Sequence, residues 1–122
     1  MATIKANRRL VRTPFALEIG KVYRLSATGK WTDFIPTTTA SGYSAFYLKC
    51  FEKWRRLPDA KWFSIIGQID DQRETRFDIG ILLEKNDPSL STATGVLQCF
   101  ANDLSFMYWN NWGAIELGVE EI

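Results

Sequence analysis

A period of two in the apolar residues is the feature of this sequence that most limits its fold. Short strand-like runs, most of them alternating between apolar and other residues, fall at 15–19, 22–27, 61–68, 77–81, 96–101 and 115–119. Turn-forming segments (GK, TGK, LPDA, DDQRE and EKNDPS) separate these runs. Alternation is typical of strands that bury one face, and many short strands are typical of a sandwich. The sequence therefore predicts an all-β protein built as an antiparallel β-sandwich.

Some segments are predicted to have other conformations. The apolar spacing of residues 44–56 (SAFYLKCFEKWRR) also allows a short helix. Residues 35–43 and 85–94 are rich in small polar residues and contain proline, so we expect exposed loops there. Thr28, Gly29 and Lys30 are predicted to form a turn.

The length and composition indicate one folded domain over residues 1–122. With 122 residues, 46% hydrophobic and 24% charged, the chain can bury a core and is unlike a disordered sequence. No run approaches the ~18 apolar residues that cross a bilayer, so we expect no membrane insertion. The basic N-terminus (MATIKANRRLVRTP) is not followed by the apolar segment of a signal peptide. We therefore expect a cytoplasmic protein, with export by another route as the alternative.

The absence of histidine excludes several classes of active site. Histidine-based triads, cysteine–histidine pairs and imidazole sites for zinc or copper all require it. Cys50 and Cys99 lie in apolar runs, which favours buried free thiols over a disulfide. The carboxylates, lysines and tyrosines show no spacing that pairs them for catalysis. We therefore expect that the protein is not an enzyme.

Charge is distributed unevenly along the sequence. Residues 1–61 contain 12 Lys and Arg against 4 Asp and Glu, whereas residues 62–122 contain 3 against 10. Residues 49–56 (KCFEKWRR) place Trp54 among cations, a pattern also found in nucleic-acid-binding proteins. The balanced pI of 7.7 favours neutralisation between neighbouring strands or subunits instead, so nucleic acid is not the expected partner.

The segment 100–119 (FANDLSFMYWNNWGAIELGV) is the main candidate for a functional site. One carboxylate, Asp103, and the adjacent amides of Asn110 and Asn111 are oxygen donors of the kind that calcium prefers. Three such ligands are fewer than the usual six to eight, so backbone carbonyls must supply others, with weak affinity of ~0.1–1 mM. The alternative is a purely structural turn, because asparagine is common in tight loops.

Five ordered segments resemble a known protein family, the calcium-dependent, galactose-binding bacterial lectins of the LecA type and their jelly-roll relatives. They are LEIGKVYRLSATGKWTD at 17–33, LPDAKWFSIIGQI at 57–69, FDIG at 77–80, GVLQCFANDL at 95–104 and YWNNWGAIELGV at 108–119. The Asn-Asp pair followed by Y-x-N-N-x-G is the most distinctive pattern. The resemblance implies a jelly-roll-like, galactose-binding-domain-like sandwich that binds a glycan, acting through many weak contacts as a homo-oligomer.

The resemblance also implies a set of site residues. Lectins of this family hold calcium with an aspartate, two asparagines and two backbone carbonyls, and two sugar hydroxyls complete the shell. The matching positions are the side chains of Asp103, Asn110 and Asn111 and the carbonyls of Phe34 and Met107. The implied sugar-binding residues are Asp103, Leu104, Asn110 and Trp112.

The chain departs from the family pattern where the sugar is recognised. The family uses a histidine and a glutamine from a mid-chain loop, whereas residues 35–44 offer threonines, Ser41 and Tyr43. Trp109 and Trp112 replace small residues, and form either a stacking platform for a different glycan or a plug in the sugar position. With a plug, the chain is a non-enzymatic interaction or structural protein that binds a protein partner through its aromatic loop. Galactose specificity is not predicted.

Overall fold

The computed structural model describes residues 1–34, 36–44 and 46–122, without the side chains of Phe46, Tyr47, Leu48 and Cys50. Within those residues the chain forms nine β-strands, one α-helix and two 3-10 helices. The strands are β1 (Ala2–Lys5), β2 (Val11–Leu17), β3 (Val22–Asp33), β4 (Thr37–Thr38), β5 (Ile65–Ile69), β6 (Gln72–Asp78), β7 (Ser89–Leu90), β8 (Gly95–Ala101) and β9 (Asn111–Glu121). Helix α1 spans Ile79–Lys85, and the 3-10 helices span Phe46–Trp54 and Tyr108–Asn110.

The strands form two antiparallel sheets that enclose one core. Sheet A has the order β1-β9-β3-β4, with β7 paired to β3, and sheet B has the order β2-β8-β5-β6. Both sheets contribute buried residues to the core, including Ile4, Trp31, Ile115 and Leu117 from sheet A and Ile65, Ile69, Leu97 and Cys99 from sheet B. These sheets confirm the predicted all-β class and antiparallel β-sandwich.

Strand β9 lies inside sheet A, between β1 and β3. It pairs with β3 along its whole length, from Tyr23 opposite Glu121 to Asp33 opposite Asn111. On its other side it pairs with β1, where Ala2 lies opposite Leu117. The end of β3 and the beginning of β9 are therefore adjacent at one end of the sandwich.

This pairing also brings the basic and acidic halves of the sequence together. Arg24 of β3 lies opposite Glu120 of β9. The Lys21 Nζ atom lies 3.0 Å from Oε1 of Glu121. Both pairs join a cation of the first half of the chain to a carboxylate of the second half.

Two predicted strand boundaries are wrong. Gly29 does not form a turn: β3 continues through it with a positive φ of 101°, and a Cβ there would lie 2.8 Å from the carbonyl oxygen of Ala114. The predicted alternating strand 77–81 stops at Asp78, whose Oδ1 accepts a hydrogen bond of 3.1 Å from the amide of Ile81. That hydrogen bond caps helix α1, so the buried Ile79 is the first residue of the helix and is not part of a strand.

The two segments predicted to be exposed loops are partly ordered against the sheets. The strand β4 and the buried Ala40 fall in the first of these segments, whose Ile35 lies outside the described residues. The strand β7 falls in the second, with Ser89 buried. Pairing with β3 accounts for both strands, since neither has an apolar period of its own.

Residues 44–56 adopt the helical alternative, as the 3-10 helix Phe46–Trp54. None of the helices in the described residues is long and apolar enough to span a bilayer. Cys99 is a buried free thiol, as predicted, and burial raises its pKa. The prediction for the Cys50 thiol lies outside the described side chains.

Three large aromatic residues of the regions 22–33 and 61–69 are buried. Trp31, Trp62 and Phe63 all face the interior. The rings of Trp31 and Phe63 meet edge to face at 5.9 Å between centroids, and Trp31 Nε1 donates a 3.0 Å hydrogen bond to the carbonyl of Phe63. This contact fixes the end of β3 against the segment that precedes β5, close to the candidate site.

Candidate functional site

The candidate site begins at Asn102, which anchors the loop between β8 and β9. Its Oδ1 accepts a 2.9 Å hydrogen bond from the amide of Leu57, and its Nδ2 donates to the carbonyls of Leu57, Ala60 and Lys61 at 2.9–3.1 Å. The side chain is fully buried. Asn102 therefore holds the loop in place and presents the next residue, Asp103, in a fixed position.

Asp103 is a buried carboxylate, with 3% of its surface exposed. Its Oδ1 accepts a 2.7 Å hydrogen bond from the amide of Leu104, and its Oδ2 accepts one of 3.1 Å from Nδ2 of Asn111. Burial and, to a smaller extent, the charge of Asp33 raise the pKa of Asp103 to about 6, while the two hydrogen bonds oppose the change. Among the described residues no cationic side chain forms an ion pair with it. A bound cation would relieve this cost of burial.

Two amide oxygens beside this carboxylate have no hydrogen-bond partner. Asn111 donates through Nδ2 to the carbonyl of Ala6 at 3.1 Å as well as to Asp103, and this leaves its buried Oδ1 unpaired within the described structure. The Oδ1 of Asn110 is also buried and unpaired. Unpaired buried acceptors are uncommon and costly, and a cation is one way to satisfy them. The oxygen set fits a hard cation such as calcium.

The two predicted carbonyl ligands lie in the same region. Phe34 adopts a left-handed backbone conformation, with φ of 59°, and its amide donates a 3.2 Å hydrogen bond to the carbonyl of Asn110. Met107 immediately precedes the 3-10 helix Tyr108–Asn110, and its amide donates to the carbonyl of Leu104 at 3.1 Å. The structure thus brings the five predicted metal-binding residues into one loop cluster at the end of the sandwich.

Asp33 is a second carboxylate at this cluster, which sequence reasoning missed. It ends β3 directly opposite Asn111, and its Oδ2 accepts a 2.5 Å hydrogen bond from the hydroxyl of Tyr43. Burial raises the pKa of Asp33, and the hydrogen bond from Tyr43 opposes that change. Within the described residues no three Asp, Glu, His or Cys side chains converge as a metal cluster. Two carboxylates are thus the acidic contribution of this site.

A largely apolar pocket of about 360 Å³ opens beside the two carboxylates. Its lining is aromatic and aliphatic around Asp33 and Asp103, and consists otherwise of Phe51, Trp54, Trp62, Leu104, Phe106 and Met107. The Nε1 donor of Trp62 is buried without a partner in the described structure. The pocket therefore offers rings and two acids to a ligand with both apolar and polar faces.

The cations on the two sides of Trp54 contact different rings. Lys53 Nζ lies 5.4 Å from the centre of the Trp54 ring, whereas Arg55 lies over Trp62 at 5.2 Å. Trp54 also packs against Phe51, with 5.8 Å between ring centroids. The 3-10 helix thereby turns Phe51 and Trp54 toward the pocket, a role that the helical alternative for residues 44–56 did not reveal.

The two tryptophans that flank the asparagine pair lie on the surface. Trp109 is 76% exposed and Trp112 is 62% exposed. Trp112 lies opposite Thr32 in the β3–β9 pair, and neither tryptophan lines the pocket. Neither ring is therefore part of the core.

Comparison with known proteins identifies a solved structure with a similar fold. No protein-family model matches the chain, and no curated protein matches it. A solved structure described as the EclA N-terminal domain, a PllA-like lectin, superimposes with a TM-score of 0.66 and 16% sequence identity. The match covers 99% of this chain and 94% of that one. The chain has a lectin-like β-sandwich fold. At this identity, the likeness to the PllA-like lectin concerns the fold.

Proposed function

We propose that the protein is a non-enzymatic, calcium-dependent carbohydrate-binding protein. The observation that carries the proposal is the pair of unpaired buried oxygens, Oδ1 of Asn110 and of Asn111, beside the buried carboxylate of Asp103. These groups fit calcium in their chemistry, since all are hard oxygen donors. The lectin-like fold supports carbohydrate as the ligand class, because the superimposed structure is described as a lectin.

Asp103, Asn110 and Asn111 would hold the ion through their side chains, and Phe34 and Met107 through their carbonyls. Bound calcium would supply coordination positions for two adjacent sugar hydroxyls. Asp103 and Asn110 would also accept hydrogen bonds from those hydroxyls, which fixes the orientation of the sugar. Asp33 adds a second negative charge near the ion, which favours cation binding at neutral pH.

The pocket beside the cluster is the proposed position for the sugar. Leu104 and Asp103 line it, and Trp54 and Phe106 provide ring faces against which the apolar side of a sugar ring can pack. Trp112 lies outside the lining, exposed on β9, so it would contact only the part of a longer glycan that extends from the pocket. Binding by several copies in a homo-oligomer would strengthen weak single contacts.

The test combines calcium titration with a glycan array. Calorimetry of calcium into protein treated with a chelator should give a Kd of ~0.1–1 mM, and Asp103→Ala should abolish the heat. Array binding should appear with calcium and disappear with EDTA. Asp87→Ala, at an exposed aspartate of the α1–β7 connection, is the matched control and should behave as wild type. Glycan binding that survives EDTA, or an Asp103→Ala protein that still takes up calcium, contradicts the proposal.

Exposure of the aromatic loop favours one alternative, recognition of a protein partner. Trp109, Trp112 and Phe106 expose most of their surface, and exposed rings of this kind often mark interaction sites. In that case the array gives no hit in calcium, while Trp109→Ala abolishes capture of a partner from extracts of the source cells. Loss of glycan binding in the same variant would instead assign the loop to the lectin site.

A further inference from the structure

The outer face of sheet B carries a row of polar side chains that ends in an arginine on each side. Arg12 of β2 lies opposite Gln98 of β8, which lies opposite Gln68 of β5. Gln68 Nε2 donates a 3.1 Å hydrogen bond to Oε1 of Gln98, and Arg76 of β6 donates through Nε to Oε1 of Gln68 at 3.0 Å. Direct partners in an antiparallel pair share a face, so Arg12, Gln98 and Gln68 lie in one row, and the hydrogen bond from Arg76 extends it to β6. The two glutamines are buried, whereas Arg12 is exposed and Arg76 is half-buried.

A third arginine is fixed next to this row. The guanidinium of Arg56 lies 3.6 Å from the centre of the Phe100 ring, and that of Arg76 lies 5.0 Å from it. Arg56 Nη1 donates to the hydroxyl of Tyr108 at 2.9 Å and to the carbonyl of Arg9 at 2.5 Å. Arg76 Nη1 donates to the carbonyl of Arg56 at 3.2 Å. Ring stacking and hydrogen bonds thus hold two guanidiniums in defined positions before any ligand binds.

Acids lie near the arginines of this face without forming ion pairs with them in the described structure. Burial lowers the pKa of Arg76, and the charges of Arg56 and Arg73 lower it further. The β5–β6 hairpin contains four acids, Asp70, Asp71, Glu74 and Asp78, and Asp71 Oδ1 accepts a 2.7 Å hydrogen bond from Gln98 of the row. In the described part of the chain, no carboxylate lies within ion-pair distance of any of these arginines.

We propose that this outer face of sheet B binds a sulfated polysaccharide, through Arg12, Arg56, Arg73 and Arg76. Guanidinium groups bind sulfate with two parallel hydrogen bonds, and arginines spaced across a sheet match anionic groups spaced along a polymer. Single-stranded nucleic acid is the less suitable polyanion, because it depends on exposed rings for stacking and the rings that these arginines contact, Phe100 and Tyr108, are buried. The site uses none of the proposed calcium-binding residues.

The experiment measures binding of a fluorescein-labelled heparin oligosaccharide by anisotropy, in EDTA and about 50 mM NaCl, so that calcium plays no part. The test variant is Arg12→Gln with Arg73→Gln, two exposed residues without side-chain hydrogen bonds in the described structure. We expect it to bind about ten-fold more weakly than wild type. The matched control, Arg24→Gln with Lys30→Gln, removes the same charge from exposed positions of β3 in sheet A and should stay within about two-fold of wild type.

Three results would overturn the proposal. The first is no binding by wild type at about 50 mM NaCl, where such contacts are least screened. The second is equal weakening in the two variants, which would indicate general charge attraction. The third is tighter binding of a single-stranded oligonucleotide of the same charge, which would assign the face to nucleic acid. Thermal melts of the variants, which should match wild type, separate lost contacts from lost folding. Because EDTA is present, failure here leaves the calcium-dependent function untouched.

Discussion

The side-chain amide of Asn111 donates a 3.1 Å hydrogen bond to Oδ2 of Asp103 and has no partner for its own oxygen within the described structure. The same nitrogen donates to the carbonyl of Ala6, so the amide is held from two directions and cannot turn its oxygen toward another donor without breaking both bonds. An amide fixed in this way keeps an acceptor directed into the site. The cost of that unpaired oxygen is about 1–3 kcal/mol, and ligand binding would recover it.

The stability of the metal-free protein should fall as pH rises. The pKa of Asp103 is raised from 3.8 to about 6 in the folded state. A carboxyl group with a raised folded pKa keeps its proton longer when folded, so the free energy of unfolding decreases between those two pH values and is level above them. We expect wild type in EDTA to lose about 2–3 kcal/mol relative to Asp103→Asn over that range. Urea unfolding of both proteins at several pH values measures the difference; a constant difference would contradict the raised pKa.

Substitution of two asparagines eight residues apart should change the stability of the protein by very different amounts. Asn102→Ala removes four side-chain hydrogen bonds from a buried site and should destabilise the protein by about 3 kcal/mol, with or without calcium. Asn110→Ala removes an unpaired acceptor and should change stability in EDTA by less than about 1 kcal/mol.

Calcium should separate these two variants further. At ten to a hundred times a Kd of ~0.1–1 mM, the ion should add about 1–3 kcal/mol to wild type. Asn102→Ala should retain that increment if it folds, and Asn110→Ala should lose most of it. Thermal melts with calcium and with EDTA measure both quantities. A full calcium increment in Asn110→Ala would remove this residue from the proposed ligand set.

Gly113 should tolerate no side chain. Its φ is +87°, and a Cβ would lie 2.9 Å from both the carbonyl oxygen of Lys30 and the Cα of Trp31. We expect Gly113→Ala to destabilise the protein by about 2–4 kcal/mol. Gly20 has a similar φ of +85° but open space around it, so Gly20→Ala should cost only the backbone strain of about 1 kcal/mol. Chemical unfolding of Gly113→Ala and Gly20→Ala compares the effect of a steric clash with that of backbone strain alone. Equal losses of stability in the two variants would contradict the close approach of β3 at Gly113.

Substitution of two tryptophans should distinguish a sugar that binds in the pocket from one that binds on the outer surface. Trp54 lines the pocket, whereas Trp112 is exposed outside it. Trp54→Ala should weaken binding of a monosaccharide that the array identifies about ten-fold, at unchanged calcium affinity. Trp112→Ala should affect only longer glycans. Calorimetry with short and long ligands measures this, and the reverse pattern would move the sugar from the pocket to the face of Trp112.

The antiparallel sandwich could be predicted because most strands bury one face and so show a period of two. The turn predicted at Gly29 was wrong because glycine also serves where two strands approach closely, as β3 and β9 do at the carbonyl of Ala114. The strand predicted through Ile79 was wrong because the cap supplied by Asp78 begins a helix there. An apolar period of two over three residues does not reveal such a cap.

The loop cluster was more predictable than the pocket. Asp103, Asn110 and Asn111 are close in sequence and polar in an apolar region, so the sequence itself indicates them as candidate site residues. Asp33 reaches the site through the pairing of β3 with the distant β9, and Trp54 reaches it through a 3-10 helix, so local sequence does not show which residues they approach. The sequence signal that could have found Asp33 is its position two residues after the buried Trp31, at the end of a strand.

The central position of β9 has a consequence for how the chain acquires its structure during synthesis. Of the described strands, β9 is made last, yet it fills the space between β1 and β3. Until it emerges from the ribosome, β1 and β3 each have an unpaired edge, and pairs such as Ala2 with Leu117 await residues more than a hundred positions away. Contacts so distant in sequence form slowly, and open edges favour association with other chains. A nascent chain that stops before Asn111 would therefore lack all of β9 and the side chain of Asn111, and would aggregate through the same exposed edges.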